Sequence, residues 1–373
     1  MKHLFFIVSA LFAGCLSAED VIWSGEKIID SPLQLVRQNL TLTSGCRIIF
    51  KGNGSLSIKH GNFSADTASF LSDEVLDGSF RIHLQNGEVV LKNCSFTGLK
   101  TKSPAPYMDG FILIRQSRKV YLQNNTFKNC SAATLAMCND AAVENNDFSN
   151  ADEGILLFHV SDSRIIGNSF DSAKNYGIKL NEANRNLIRK NRFSDCQLGV
   201  LMFRKSEENQ LIGNSFFGGG IGIKLWGMGG NNLFSGNLFE NVRTGIGANF
   251  SSEIGKNNRF SNNVIISANL AFSLPKQMEG NAVELFNNAI VSCNHAIHSD
   301  GGAVKAQNNL LWQVKTRTMP DNGAVIDLTN TIDSDPKFRD IENGDYRPSS
   351  DSPLLRNGIN GKNIGIFQGS SAD

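Results

Sequence analysis

The chain has 373 residues, 40% of them hydrophobic, enough to build a sizeable core in one large domain or two ordinary ones, which excludes global disorder. Lys and Arg number 36 against 35 Asp and Glu, so there is no basic surplus with which to capture nucleic acid. Phe (25) and Gly (35) are abundant, and together with Asn they recur in a regular order.

The first segment, MKHLFFIVSALFAGCLSAED, has a short basic start, an apolar run from Leu4 to about Ala13, and small residues before Glu19. It predicts a secretory signal over 1–18, too short and wrongly flanked to span a membrane. An alternative stays open: Phe12-Ala13-Gly14-Cys15 is similar to a bacterial lipoprotein box, which would anchor the protein at Cys15. No other stretch has the roughly 20 apolar residues that a transmembrane helix needs. Either reading places the protein in the periplasm, at the cell surface or outside the cell. Six cysteines follow: Cys46, Cys94, Cys130, Cys138, Cys196 and Cys293. Their even number permits disulfides in an exported protein, but the scattered spacing favours buried single thiols and signals no zinc site.

From about residue 91 the chain repeats. Asn-x-Phe is followed about seven residues later by Gly-Ile-x-Leu or a close variant. The first phrase reads NNTF (124–127), NNDF (145–148), GNSF (167–170), KNRF (190–193), GNSF (213–216), GNLF (236–239) and NNRF (257–260). Weaker copies end at Phe96, Ile290 and Leu311. Between them fall GILLF (154–158), GIKLN (177–181), GVLMF (199–203), GIKLW (222–226) and GIGAN (245–249). A period near 22 residues with short alternating segments cannot hold a helix pair per unit; it suits a coil of two or three short strands. Stacked coils would pair each strand with its copy one turn on, in parallel, at about 4.8 Å. Phenylalanines would stack inside, and asparagines would occupy the turns and form amide ladders. The expected fold is all-β: a parallel β-helix of about a dozen coils, one domain over 19–332. Two stretches interrupt the period, TGLKTKSPAPYMDG (97–110) and a segment around LPKQMEGN (274–281), and both read as loops leaving the stack.

With these residues in view, the chain resembles the right-handed parallel β-helix superfamily of pectate-lyase-like and NosD-like proteins, including carbohydrate-binding and sugar-hydrolase repeat domains. The segment 27–65 resembles the opening coils of such proteins, within N-terminal coils that here run over 19–90. The end, DSDPKFRDIENGDYRPSSDSPLLRNG…NIGIFQG, resembles their closing cap and marks off 333–373; it departs from the usual form at Arg356 and Asn363, where acidic residues are common. The resemblance implies a fold and leaves the activity open, because this scaffold carries lyases, hydrolases, epimerases and proteins without known chemistry.

Side chains alternate along a strand. With Ile and Leu of Gly-Ile-x-Leu turned inward, one outward column runs Leu156, Lys179, Leu201, Lys224, Gly247. A second runs Phe158, Asn181, Phe203, Trp226, Asn249, and beyond it come His159, Glu182, Arg204 and Gly227. Aromatic faces beside cations suit a chain of sugars bearing carboxylates or sulfates; the bland alternative is that lysines merely guard an exposed sheet. The expected substrate-binding residues are therefore Phe158, His159, Asn181, Glu182, Phe203 and Trp226. The expected catalytic residues are Lys179, Arg204, Lys205 and Lys224. Glycosidases need two flanking carboxyl groups, whereas cations dominate this ridge and only Asp152, Glu153 and Glu182 lie near, which tilts the reading toward a lyase or epimerase.

RKSEENQLIGNSF (204–216) is similar to a stretch of the alginate and dermatan lyase family, and that resemblance implies Lys205 as base. Val200 stands where that family carries an acidic calcium ligand, and Leu225-Trp226-Gly227 replaces its Arg-His-Gly. The Asp-Pro-His motif of epimerases and the paired aspartates of polygalacturonases are absent. Calcium stays open as a cofactor without a motif. His295 and His298 in NHAIHSDGG read as ordinary turn residues before metal ligands, and Asp300 and Asp152 lack calcium-loop spacing. Two functions remain: a polysaccharide-recognising protein, as a monomer, that processes an acidic glycan as a lyase or epimerase, or a non-catalytic NosD-like or adhesin-like binding protein.

Overall fold

The computed structural model describes residues 19–77, 80–102, 110–227, 229–248, 255–274, 282–341 and 343–366. The proposed export signal, the lipoprotein box and Asn249 lie outside them, as do 103–109 and 275–281 within the two interruptions.

Among the described residues the strands form three parallel sheets that run the length of the molecule, with 14, 13 and 13 strands. One turn of the coil contributes a strand to each in fixed order. A long strand such as Glu153–Phe158 is followed by Arg164–Ile166, then Ser169–Asp171, and the next long strand is Tyr176–Asn181. The long-strand sheet, the middle sheet and the phenylalanine sheet are named here for this order. Register is strict: Ile155, Ile178, Val200 and Ile223 are successive partners in the long-strand sheet. The all-β parallel β-helix expected from the repeat is the fold observed.

Two columns of identical side chains explain the Asn-x-Phe phrase. Phe70, Phe96, Phe127, Phe148, Phe170, Phe193, Phe216 and Phe239 form one stack with ring centroids 4.4–4.9 Å apart. Beside it runs an amide ladder from Asn125 through Asn146, Asn168, Asn191, Asn214, Asn237, Asn263 and Asn288 to Asn309. Each Nδ2 donates to the next Oδ1 at 2.9–3.0 Å. Where the phrase carries two asparagines they divide the work. Asn124 and Asn145 take the left-handed turn position (φ 56 and 54), which Asn tolerates better than most residues. Asn125 and Asn146 supply the ladder. A second ladder, Asn186–Asn209–Asn232–Asn258, lines the turn between the long-strand and middle sheets.

That second ladder corrects the repeat register. NNRF (257–260) belongs to it: Phe260 lies in the middle sheet against Phe234, 4.6 Å away. The partner of Phe239 in the phenylalanine sheet is Ile265. Both turns place a ladder asparagine two residues before an inward apolar residue, so the same phrase arises at two places in the coil. The first interruption needs correction too. Lys100–Lys102 is a strand that pairs in parallel with Val75–Asp77 as a separate two-stranded sheet beside the stack.

The glycine of Gly-Ile-x-Leu answers to the phenylalanine stack. A Cβ at Gly222 would lie 2.5 Å from the Phe239 ring, and one at Gly199 2.5 Å from Phe216. All six cysteines from Cys46 onward are buried free thiols. Burial pushes Cys94, Cys196 and Cys293 up to about 11 and Cys130 up to about 12, so at neutral pH they behave as small apolar residues.

Past Ile332 the chain folds back along the outside of the phenylalanine sheet. Phe338, Tyr346, Leu354, Ile364 and Ile366 pack on Phe217, Leu238, Val264, Ile266, Ala289, Val291, Leu310 and Trp312. Backbone ties fix it: Gly365 N–H donates to the Asn287 carbonyl at 2.8 Å, and Asn262 Nδ2 donates to the Asn363 carbonyl at 2.9 Å. At the two departures from the usual cap pattern, Asn363 Oδ1 accepts the Arg356 backbone N–H at 3.0 Å.

Candidate functional site

The outer face of the long-strand sheet between residues 153 and 227 carries the ridge. Its strands are six residues long here, against three for most strands of the other sheets, so this face offers the widest flat surface of the coil. In the first column Leu156 and Leu201 are buried while Lys179 and Lys224 between and beyond them are half-buried. Leu156, Lys179, Leu201 and Lys224 pair in register and form the expected column. The second column, Phe158, Asn181, Phe203 and Trp226, is likewise in register.

Among the described residues, two open depressions flank this ridge. The larger, about 520 Å³, is lined by Glu182, Phe203, Arg204, Lys205, Trp226 and Gly227. Phe203 and Trp226 meet edge to face, centroids 5.3 Å apart, and the Arg204 guanidinium lies 5.1 Å from the Phe203 centroid. The Glu182 carboxylate is 3.8 Å from the Arg204 guanidinium and 3.7 Å from His159 Nδ1. The smaller depression, about 310 Å³, is lined by Glu153, Leu156, Asn175, Tyr176, Lys179, Gln197, Leu198 and Leu201. Asn175 Nδ2 donates to Glu153 Oε1 at 2.6 Å. Lys179 stands between the two: its ammonium is 5.6 Å from the Tyr176 centroid on one side and 5.4 Å from the Phe203 centroid on the other.

His159, Glu182, Arg204 and Gly227 share one corner and one left-handed backbone (φ 49, 53, 43 and 66). Such strain marks function in many sites. Here the same corner recurs at Arg37, His60, Asn86, Gln116 and Met137, none of which lines either depression, so it belongs to the scaffold. What is particular to this stretch is which side chains occupy it.

Sequence reasoning placed five residues, Glu182, Phe203, Arg204, Lys205 and Trp226, that the structure brings to one depression. Lys179 lines the other. Phe158 is half-buried with its ring against His159, 4.3 Å between centroids, and lines neither. Lys224 lines neither as well; burial, then Arg243, pushes its ammonium below the usual lysine range. Asn181, expected on the surface of the groove, is 0% exposed, and neither its Nδ2 nor its Oδ1 has a hydrogen-bond partner. Val200, at the calcium-ligand place of the lyase-like stretch, is fully buried in the core, so that position has no access to a metal. Asn175, Tyr176 and Gln197 were missed, and Glu153 was noted only as a nearby acid; Glu153 and Tyr176 pair in register two places before the inward Ile of the repeat, and both line the smaller depression.

The histidine pair lies elsewhere on the same sheet. His298 Nε2 is 2.8 Å from Asp321 Oδ2, while Asp300 accepts from Asn322. Asp152 bridges Lys174 (2.7 Å) and Lys100 (3.4 Å). Among the described residues no group of three His, Cys, Asp or Glu is placed to hold a metal ion, and no helix is long and apolar enough to cross a membrane.

A family model described as right handed beta helix region matches residues 33–179, 80–239 and 153–311. No curated protein matches the chain. Among solved structures, the periplasmic alginate epimerase AlgG superposes at TM-score 0.61 with 15% identity, covering 83% of this chain and 78% of that one. A point mutant of the same epimerase gives 0.53 at 14% identity, over 81% and 78%. The PL6 family polysaccharide lyase Pedsa3628 from Pseudopedobacter saltans aligns along 95% of this chain and 96% of that one, at 12% identity and TM-score 0.47. Identities this low speak for the fold alone.

Proposed function

The chain belongs to the right-handed β-helix family, and we propose that it is an exported, monomeric protein that binds an acidic polysaccharide across the outer face of its long-strand sheet. One observation carries this reading: Phe203 and Trp226 share a depression with Arg204 and Lys205. Aromatic faces pack against the C–H faces of sugars, and a guanidinium matches a carboxylate or sulfate with paired hydrogen bonds. The second depression, across Lys179, extends the surface along the strand direction. A strand of six residues reaches about 20 Å, long enough for a chain of several sugars to cross the ridge. The fold shared with a periplasmic alginate epimerase supports a glycan partner and a place outside the cytoplasm.

Lyase or epimerase chemistry is the extension of this reading. It requires a cation to neutralise the uronate carboxylate and a base to remove the adjacent proton; Arg204 fills the first role and Lys205 the second, both in the larger depression. Binding without turnover is favoured by one specific observation. Lys224, one of the three lysines expected to be catalytic and the one whose ammonium is pushed down in pKa, lines neither depression.

The test is affinity electrophoresis through gels containing a uronate polymer, a sulfated polymer or a neutral glucan. Retardation by the acidic polymers alone is expected. Equal mobility in all three gels removes the polysaccharide reading. Absorbance from new unsaturated ends reports a lyase, NMR of the recovered polymer reports an epimerase, and silence in both with retained binding leaves a binding protein.

A further inference from the structure

We propose that Asn181 is a concealed recognition subsite of this groove, uncovered when a bound acidic sugar draws cations away from the Phe203 ring. The inference rests on the polysaccharide reading and adds what the sugar must carry: a carboxylate beside a pair of neighbouring hydroxyls.

The starting point is an exception. Among the described residues the other buried asparagines, from Asn125 to Asn309, all use their side-chain amides in hydrogen bonds, most of them in the two ladders. Of these described asparagines, Asn181 alone has both amide atoms buried and unpaired. Burying an amide without partners is unfavourable, and an apolar residue would suit the place, since the neighbours in register are Phe158 and Phe203. A local rule broken without visible compensation is expected where function demands it.

Position supplies the second observation. Asn181 follows Lys179 on the outward face and precedes Glu182, so it lies between the two depressions. Its neighbour on the next coil, Phe203, forms the wall of the larger one. That ring is held in part by cations, with Lys179 5.4 Å and Arg204 5.1 Å from its centroid, and by the edge of Trp226. A carboxylate entering the depression competes for the same two cations and binds them more strongly than a ring face does. Once they turn to the carboxylate, Phe203 is free to change rotamer and open the amide beside it. An amide presents one acceptor and one two-proton donor, which matches two adjacent sugar hydroxyls.

The experiment compares wild type, Asn181→Leu and Trp226→Ala by thermal melting and by calorimetric titration with a uronate oligosaccharide. Asn181→Leu is expected to melt about 1–3 °C higher, as relief of a buried unpaired amide requires, and to bind about tenfold more weakly. A variant that binds as wild type overturns the subsite; if Trp226→Ala has meanwhile lost binding, the groove itself stands. A wild-type protein that binds no acidic oligosaccharide overturns both. Should Asn181→Leu fail to fold, the side-chain amide resonance of Asn181 in the isotope-labelled wild type decides the matter. It shifts on titration if the subsite engages the sugar, and an unmoved resonance at saturation overturns the proposal.

Discussion

Asn214 Oδ1 accepts two hydrogen bonds from one residue, Asn191: its side-chain Nδ2 at 3.0 Å and its backbone N–H at 3.0 Å. Asn214 in turn donates to the Ile188 carbonyl and to Asn237 Oδ1, both at 3.0 Å. A truncation here strands buried groups on both neighbouring coils. Asn214→Ala is expected to cost about 3–5 kcal/mol, in line with the loss of a buried network, visible as a lower denaturation midpoint. Asn124→Gly, at the left-handed turn position (φ 56), should change the midpoint little, because glycine adopts that conformation freely. Equal losses in the two variants would contradict the division of labour between the paired asparagines.

Gly222 and Phe239 form a mutually dependent pair. Adding a methyl group at Gly222 drives it to 2.5 Å from the ring, and overpacking of this kind costs about 1–3 kcal/mol. Gly222→Ala should therefore lower the melting temperature, and Phe239→Leu on that background should recover part of the loss. If the second change only deepens the loss, the steric account of this glycine fails.

Arg204 separates charge recognition from stacking. Arg204→Gln should weaken binding of a uronate oligosaccharide about tenfold, the worth of a charge-assisted hydrogen bond, and flatten the dependence of affinity on salt. Trp226→Ala should weaken binding while leaving the salt dependence as it was. Titrations at two ionic strengths check both expectations.

Asp152 gives a pH signature. Burial works to raise its pKa, but hydrogen bonding and charge from Lys174 and Lys100 outweigh that and hold the carboxyl below its usual range. A lowered carboxyl stabilises the fold above its unfolded value of about 4 and loses that contribution as pH falls through the lowered native value. Asp152→Asn should thus melt about 1–2 °C below wild type at pH 7, as a partly exposed pair allows. The gap should close as pH drops below about 4. A gap independent of pH would mean that the pair contributes by packing alone.

Much of this structure was legible because a solenoid writes its register into the chain. The steps between phenylalanines gave the coil, and alternation within Gly-Ile-x-Leu gave the outward columns that carry Lys179, Phe203 and Trp226. Alternation gives direction without depth, however. Asn181 points outward and is still buried, because the bulk of the rings on either side is a property of neighbouring coils. NNRF was misplaced because two turns of each coil obey the same rule, and only pairing partners distinguish them. The smaller depression was missed because Glu153 and Tyr176 share a column whose residue type changes at each coil, leaving no pattern to read. Lys224 shows the opposite limit: a lysine in the correct column, one coil beyond the hollow.

The segment that folds back after Ile332 changes how the rod comes apart. In a solenoid each coil touches only its neighbours, so opening spreads from the ends one unit at a time. Five successive strands of the phenylalanine sheet, from Ser215–Phe217 to Leu310–Trp312, lie beneath this returning segment. Coils that share a common brace lose the freedom to open singly. The C-terminal half should therefore exchange its amide protons as one cooperative block, while the coils before residue 198 fray stepwise. The groove, at residues 153–227, straddles that boundary: Lys179 and Glu182 rest on coils that open singly, and Phe203, Arg204 and Trp226 belong to the block that does not.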